Sequence, residues 1–364
     1  MTVFLCGDVM TGRGIDQILP HGGDPTVREP VVTDARTYVT LAERVSGPIS
    51  TPAGFTWPWG DALTVLDEFT PDVRLLNLET SITGGGEFAP GKTLHYRMHP
   101  DNVGCLSAAR PDVCSLANNH VLDFGPKGLT DTLSALTRAG IRSVGAGLDV
   151  QQAERPVLVD IPGSGRVLTV AVGIACSGVP RSWAATADRP GVAFILDLSE
   201  ASAARITDRV LALKRPGDVA VASLHLGSNW GYQVESGQVD FAHRLIDAGI
   251  DVVYGHSSHH PRPIEVYRGK LILYGCGDII NDYEGITSYE AFRAGLRLLY
   301  FASVDPSNGN LVALRMVGMR VRRMRLERAA QADAEWLRAK LGDISRDFNT
   351  RVDGAADGTI TVRA

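Results

Sequence analysis

The feature that most constrains this chain is a series of short apolar, β-branched runs, each ending in a polar side chain. Val3–Cys6 runs into Gly7-Asp8, and Val73–Leu76 into Asn77-Leu78-Glu79. Val113–Leu116 leads to Asn118-Asn119-His120 and then Asp123. Val219–Leu224 stops at His225, and Ile250–Tyr254 at Gly255-His256-Ser-Ser-His259-His260; Val167–Ile174 is a further run of the same kind. Between them, Leu129, Leu133 and Leu136 recur at helical spacing, as do Ile206, Val210 and Leu213. Strands alternating with helices imply a sheet with parallel strands buried on both faces. In such sheets the carboxyl ends of the strands line the ligand crevice, so side chains distant in sequence meet there.

From Pro263 the pattern changes to strands joined by short polar turns. Ile264–Tyr267, Leu271–Tyr274, Leu296–Val304 and Leu311–Met316 read as antiparallel. The reading is one catalytic domain over residues 1–328, with an insertion or lid at about 20–58, rich in Pro, Gly and Thr. A C-terminal segment, 329–364, carries a helix near Ala332–Asp343 and a loose tail after Thr350. Arg320-Val-Arg-Arg-Met-Arg325 alternates charged and apolar residues, as a half-exposed strand does. No internal repeat is present.

Composition excludes several classes. Hydrophobic residues make up 44% of the 364 and charged residues 21%, as in a globular protein. With 36 basic against 41 acidic residues the formal charge is −5, which argues against nucleic acid. The 5 cysteines form no CxxC pair, so a reducing compartment is expected. No run is long enough to span a bilayer. The expected location is cytoplasmic.

The polar strand ends offer carboxylate, amide oxygen and imidazole without thiolate, a donor set for Mn, Fe or Zn, as one ion or two. Their order, Gly7-Asp8-Val9-Met10, Asn77-Leu-Glu79, Leu116-Ala-Asn-Asn119-His120-Val-Leu-Asp123, His225-Leu-Gly227, Gly255-His256-x-x-His259 and Pro263-Ile-Glu-Val-Tyr267, resembles the poly-γ-glutamate capsule-synthesis (CapA) branch of calcineurin-like metallophosphatases. The resemblance runs from about Val3 to Gly285. It implies an α/β four-layer sandwich, mixed sheets flanked by helices. It also implies that Asp8 binds one metal and Glu79 bridges two, that Asn119, His225 and His256 hold the second, and that His259 returns to the first. His120 takes the general-acid position with Asp123 beside it, and Arg13 and Arg97 match basic positions suited to clamping a carboxylate or phosphate. The sequence departs from the superfamily pattern at Met10, where a His is usual, at Glu79 in place of Asp, and in the longer spacing of His256 and His259. One metal position thus lacks an expected ligand.

Other features carry less. Gly84-Gly85-Gly86 has no phosphate-loop context and reads as a flexible rim. Cys6 and Cys276 read as small buried hydrophobes, and Trp57 and Trp59 as packing. Trp230, Tyr232 and Asp278 are expected substrate contacts. Soluble proteins similar to this branch include epimerases of lasso-type ribosomal peptides. The first functional expectation is therefore metal-dependent epimerisation at a peptide's C-terminal residue, the substrate being a peptide with a free terminal carboxylate. The alternatives are a metal-dependent phosphoester or amide hydrolase, and a non-enzymatic accessory protein of poly-γ-glutamate assembly.

Overall fold

The structure, a computed structural model, describes residues 1–287 and 290–363. Its strands form two large sheets. In the first, Thr2–Val9 lies at the centre, with Val73–Leu78, Val113–Ser115 and Arg142–Val144 following in parallel on one side. On its other side Leu296–Val304 and Leu311–Arg322 run antiparallel, and Asp278–Ile280 pairs with its carboxyl end. The second sheet is parallel through Gly165–Ile174, Val219–His225, Val252–His256 and Lys270–Leu273, and closes with antiparallel Ile264–Tyr267.

The alternation of side chains along each strand explains the layers. Val3 and Leu5 enter a core shared with Val219, Val221, Val252 and Leu271, between the two sheets. Phe4 and Cys6 face the other way, onto the helices Arg36–Ser46, Ala62–Phe69 and Gly125–Arg138. In the second sheet Ala220, Ala222 and Leu224 turn outward onto Glu200–Leu211 and Ser236–Asp247. Helices, sheet, sheet and helices make the expected four-layer α/β sandwich. The strands read as unbroken apolar runs because both faces are covered.

The two-residue hairpins follow from left-handed backbone. Arg268 and Gly269 have φ of 49° and 77°, and Arg323 and Met324 have 55° and 53°. The second pair turns the arginine-rich stretch back as the strand Arg325–Arg328, so its alternation is that of a hairpin.

Three expectations need correction or refinement. The tail is not loose: Ile360–Arg363 pairs antiparallel with Leu311–Arg322, and Ile360 and Val362 are buried. The alternating Ile-Thr-Val signal was masked by the Gly- and Asp-rich turn before it. The segment at 20–58 contains the helix Arg36–Ser46, whose Tyr38 and Ala42 enter the core, so this part is anchored rather than free to swing. Leu213 lies past the end of its helix and is exposed. The C-terminal helix, Gln331–Ile344, places Leu337 and Leu341 in the core between the sheets. Among the described residues no helix is long and apolar enough to cross a membrane.

Candidate metal centre

Two sheets deliver their strand ends to one place. In the first, Asp8 is in register with Asn77 on one neighbour and Asp278 on the other. In the second, His225 and His256 are register partners. Gly7 makes the approach possible: a Cβ there would lie 1.6 Å from the Gly277 carbonyl oxygen, the neighbour that accepts from the Asp8 amide at 2.9 Å. Only glycine fits.

Asp8 belongs to two groups of donors. With His225 and His256 it forms one cluster whose donor atoms lie within 4.8 Å of each other; with His259 and Asp278 it forms a second on the same criterion. All five residues are buried. Asp8 Oδ1 accepts from Asn77 Nδ2 at 2.7 Å, whereas its buried Oδ2 has no hydrogen-bond partner. His225 Nδ1 and His256 Nδ1 converge at 2.7 Å. Ser223 donates to Ser115 and so accepts from His256 Nε2 at 2.8 Å, which leaves the His256 Nδ1 lone pair facing the cluster. His259 Nδ1 donates to Asp278 Oδ1 at 2.8 Å, and Asp278 Oδ2 accepts from Asn281 at 2.6 Å.

The electrostatics point the same way. Burial, and then the nearby Asp278, lift Asp8 from 3.8 to about 7. Burial and Asp8 push Glu79 well above the usual carboxylate range. Burial depresses His225 and takes His256 down to about 3, which keeps both imidazoles neutral. Burial also works against charge on His259, but Asp278 and Asp8 prevail and raise it. Crowded buried carboxylates, neutral imidazoles and an orphaned carboxylate oxygen are costly alone. They fit a bound divalent cation. The residues that would hold it are Asp8, His225 and His256, with His259 and Asp278 as a second group.

The other expected donors lie alongside. Glu79 Oε1 is 3.8 Å from His120 Nε2 and 3.9 Å from His225 Nε2. Asn119 Oδ1 is 3.0 Å from His225 Nε2. Asp8 is common to both donor clusters, and Glu79, the bridging residue that the resemblance implies, lies beside them. Asp278, expected at the substrate, sits against His259 and joins it and Asp8 in the second donor cluster.

Across a cleft of about 210 Å³, lined by Glu79, Asn119, His225 and His259 among others, stands a second polar group. His120 Nδ1 donates to Asp123 Oδ2 at 2.6 Å, so its Nε2 faces Glu79 and the cleft. Burial takes this imidazole down to about 4 against the opposing pull of Asp123. Lys92 donates to Asp123 Oδ1 at 2.5 Å and to the Asn119 carbonyl.

The expected substrate contacts divide. Arg13 is corrected: buried, it pairs with Asp282 at 2.5 Å and Glu29 at 2.8 Å, and its guanidinium lies 4.0 Å from the Tyr38 ring centre. Four of its five N–H donors are committed to Asp282, Glu29 and Tyr38. Arg97 pairs with exposed Asp24 at 2.9 Å and covers Phe124. Trp230 and Tyr232 join Phe292 and His260 in an aromatic cluster, with Trp230 5.3 Å from His259 between ring centres. Sequence reasoning missed Lys92, which lies in an irregular loop without periodicity, and Tyr283, which lines the cleft and bonds Tyr96 at 2.7 Å between hydroxyls. Asn77 was visible within its motif, but nothing marked it as the partner of Asp8.

Comparison with known proteins adds the relationship. The family model described as "Bacterial capsule synthesis protein PGA_cap" matches residues 2–283. A "Probable polyglutamine synthesis accessory protein" of Mycobacterium tuberculosis, found in two strains, is 58% identical over 100% of this chain and 96% of its own. The "Capsule biosynthesis protein CapA" of Bacillus anthracis is 26% identical over 78% of this chain and 60% of its own. The "PGA biosynthesis protein CapA" of Bacillus subtilis is 29% identical over 52% and 48%. With its strand-end donors, its four layers and these relatives, the chain belongs to the bacterial capsule synthesis protein (PGA_cap, CapA-like) family.

Proposed function

We propose that this protein is a metal-dependent amide hydrolase that serves the synthesis of a glutamine- or glutamate-rich polymer. One observation carries the reading: Asp8, with a buried, unpartnered oxygen, is shared by two donor clusters whose His225 and His259 line the same cleft as His120, the partner of Asp123. The names of the relatives supply the polymer. They speak of synthesis and not of epimerisation, so the peptide-epimerase expectation is not carried forward.

A divalent cation bound at Asp8, His225 and His256 supplies Lewis acidity, polarising a carbonyl oxygen and acidifying water. The protein's own groups move the protons. His120 begins neutral, because burial holds it near 4, and its Nδ1–H is committed to Asp123. Its Nε2 is thus the acceptor for a proton from the attacking water. The hydroxyl adds to the amide carbon, the C–N bond breaks, and Nε2 returns the proton to the departing amine. Asp123 fixes the tautomer and stabilises the imidazolium formed in between.

The test is incubation of Mn-, Zn- or Fe-loaded protein with triglutamine or triglutamate, following new amine. Cation-dependent amine release that fails in His120→Ala supports the reading. Phosphate release from an aryl phosphate without amine release would assign a phosphoesterase instead. Deuterium uptake from heavy water without cleavage would assign an epimerase.

A further inference from the structure

The Glu79 carboxylate lines the cleft, Asp8 and Asp278 are buried in the donor clusters that reach it through His225 and His259, and the arginines expected to balance an anionic substrate are paired elsewhere. Lys92 lines the cleft instead, with its side chain 13% exposed. Its ammonium has three N–H donors. One goes to the Asn119 carbonyl and one to Asp123 Oδ1. The remaining neighbour, His120 Nδ1 at 3.4 Å, already carries a proton directed at Asp123 and cannot accept another. One N–H of Lys92 is therefore unspent, beside the imidazole that serves the leaving group.

We propose that Lys92 is a specificity-determining residue that binds the carboxylate of the departing unit, so that the chain is cut at its C-terminal residue. This rests on the hydrolytic reading above. The leaving amine takes its proton from His120, so an anion held by Lys92 lies on the leaving fragment. In a glutamine chain, whose side chains carry no charge, the fragment that bears both an amine at the cut bond and a nearby carboxylate is the C-terminal amino acid. The position of Lys92 is built in: its loop is tied down by the Ala89 amide on the Asp123 carbonyl at 2.8 Å and the Tyr96 amide on Asp123 Oδ2 at 2.7 Å. Trp183 flanks the ammonium at 4.8 Å. The two backbone ties, from Ala89 and Tyr96, do not pass through Nζ and remain when the ammonium is removed.

The experiment is calorimetric titration of Mn-loaded wild type, Lys92→Met and Lys92→Arg with triglutamine and with its C-terminal amide, which differ only in the one carboxylate. Wild type is expected to prefer the acid by on the order of tenfold or more, the worth of a charged hydrogen bond. Lys92→Met is expected to lose that preference at unchanged Mn content, and Lys92→Arg to keep most of it. Equal binding of acid and amide by wild type, or an undiminished preference in Lys92→Met, overturns the assignment. Mn content, measured on the same samples, separates the two claims: a wild type that prefers the acid without retaining Mn supports Lys92 and defeats the metal centre.

Discussion

Replacing Asp8 with Asn should stabilise the cation-free protein and weaken the cation-loaded one. In the folded chain the Asp8 carboxyl is lifted from 3.8 to about 7, by burial first and Asp278 second. Because the folded value lies above the unfolded one, the folded state holds the extra proton between those limits. Stability is then fully present below about pH 4 and is lost as pH rises through 7. Three tenfold steps in proton affinity, at about 1.4 kcal/mol each, set a ceiling of about 4 kcal/mol. Asn removes this cost while keeping the shape, and its side-chain oxygen still accepts from Asn77. Urea unfolding in chelator at pH 8 should therefore show the variant more stable than wild type by up to about 4 kcal/mol, with the gap falling below about 2 kcal/mol at pH 5 and closing near pH 4. With Mn at about a hundred times its dissociation constant, wild type gains about 2.7 kcal/mol that the variant largely forgoes. A variant less stable than wild type in chelator, or a gap indifferent to Mn, would refute the reasoning.

Three further outcomes follow from the same geometry. Arg13→Met strands Glu29 and Asp282 in the interior, and thermal or urea unfolding should show a loss of about 3–5 kcal/mol; an unchanged midpoint contradicts the network. His120→Ala should lower amide hydrolysis by about 10²- to 10⁴-fold with cation affinity retained, and Asp123→Asn should lower it in the same direction, as measured by amine release and Mn titration. Cation affinity should fall about tenfold per pH unit below 7, because the proton on Asp8 competes with the ion while His225 and His256 stay neutral; a flat Mn affinity between pH 5.5 and 7 would exclude Asp8 as a ligand.

Much of the fold is legible in the sequence because each strand is buried on both faces. Val219–His225 reads as one apolar run ending in a polar residue, and the structure uses it so. The strand-end residues Asp8, His225 and His256 are legible for the same reason: parallel strands end at a common edge. What escapes is pairing across distance. Nothing near Arg13 in the sequence says that Glu29 and Asp282 will consume its donors. Asp278 reads in the sequence as a substrate contact, and only its pairing with the Asp8 strand shows that it lies beside His259. Lys92 sits in irregular chain, where no period reveals direction, and only Asp123 shows what it serves. The C-terminal strand failed for a local reason, since a Gly-rich turn outweighed four alternating residues.

The most direct measurement is the metal content of protein equilibrated with Mn, Fe or Zn and then freed of loose ions, for wild type beside Asp8→Asn and His256→Ala. About one equivalent or more retained by wild type, and little by either variant, is the predicted result. Wild type that emerges empty, or variants that hold as much as it does, would contradict a cation centre at Asp8.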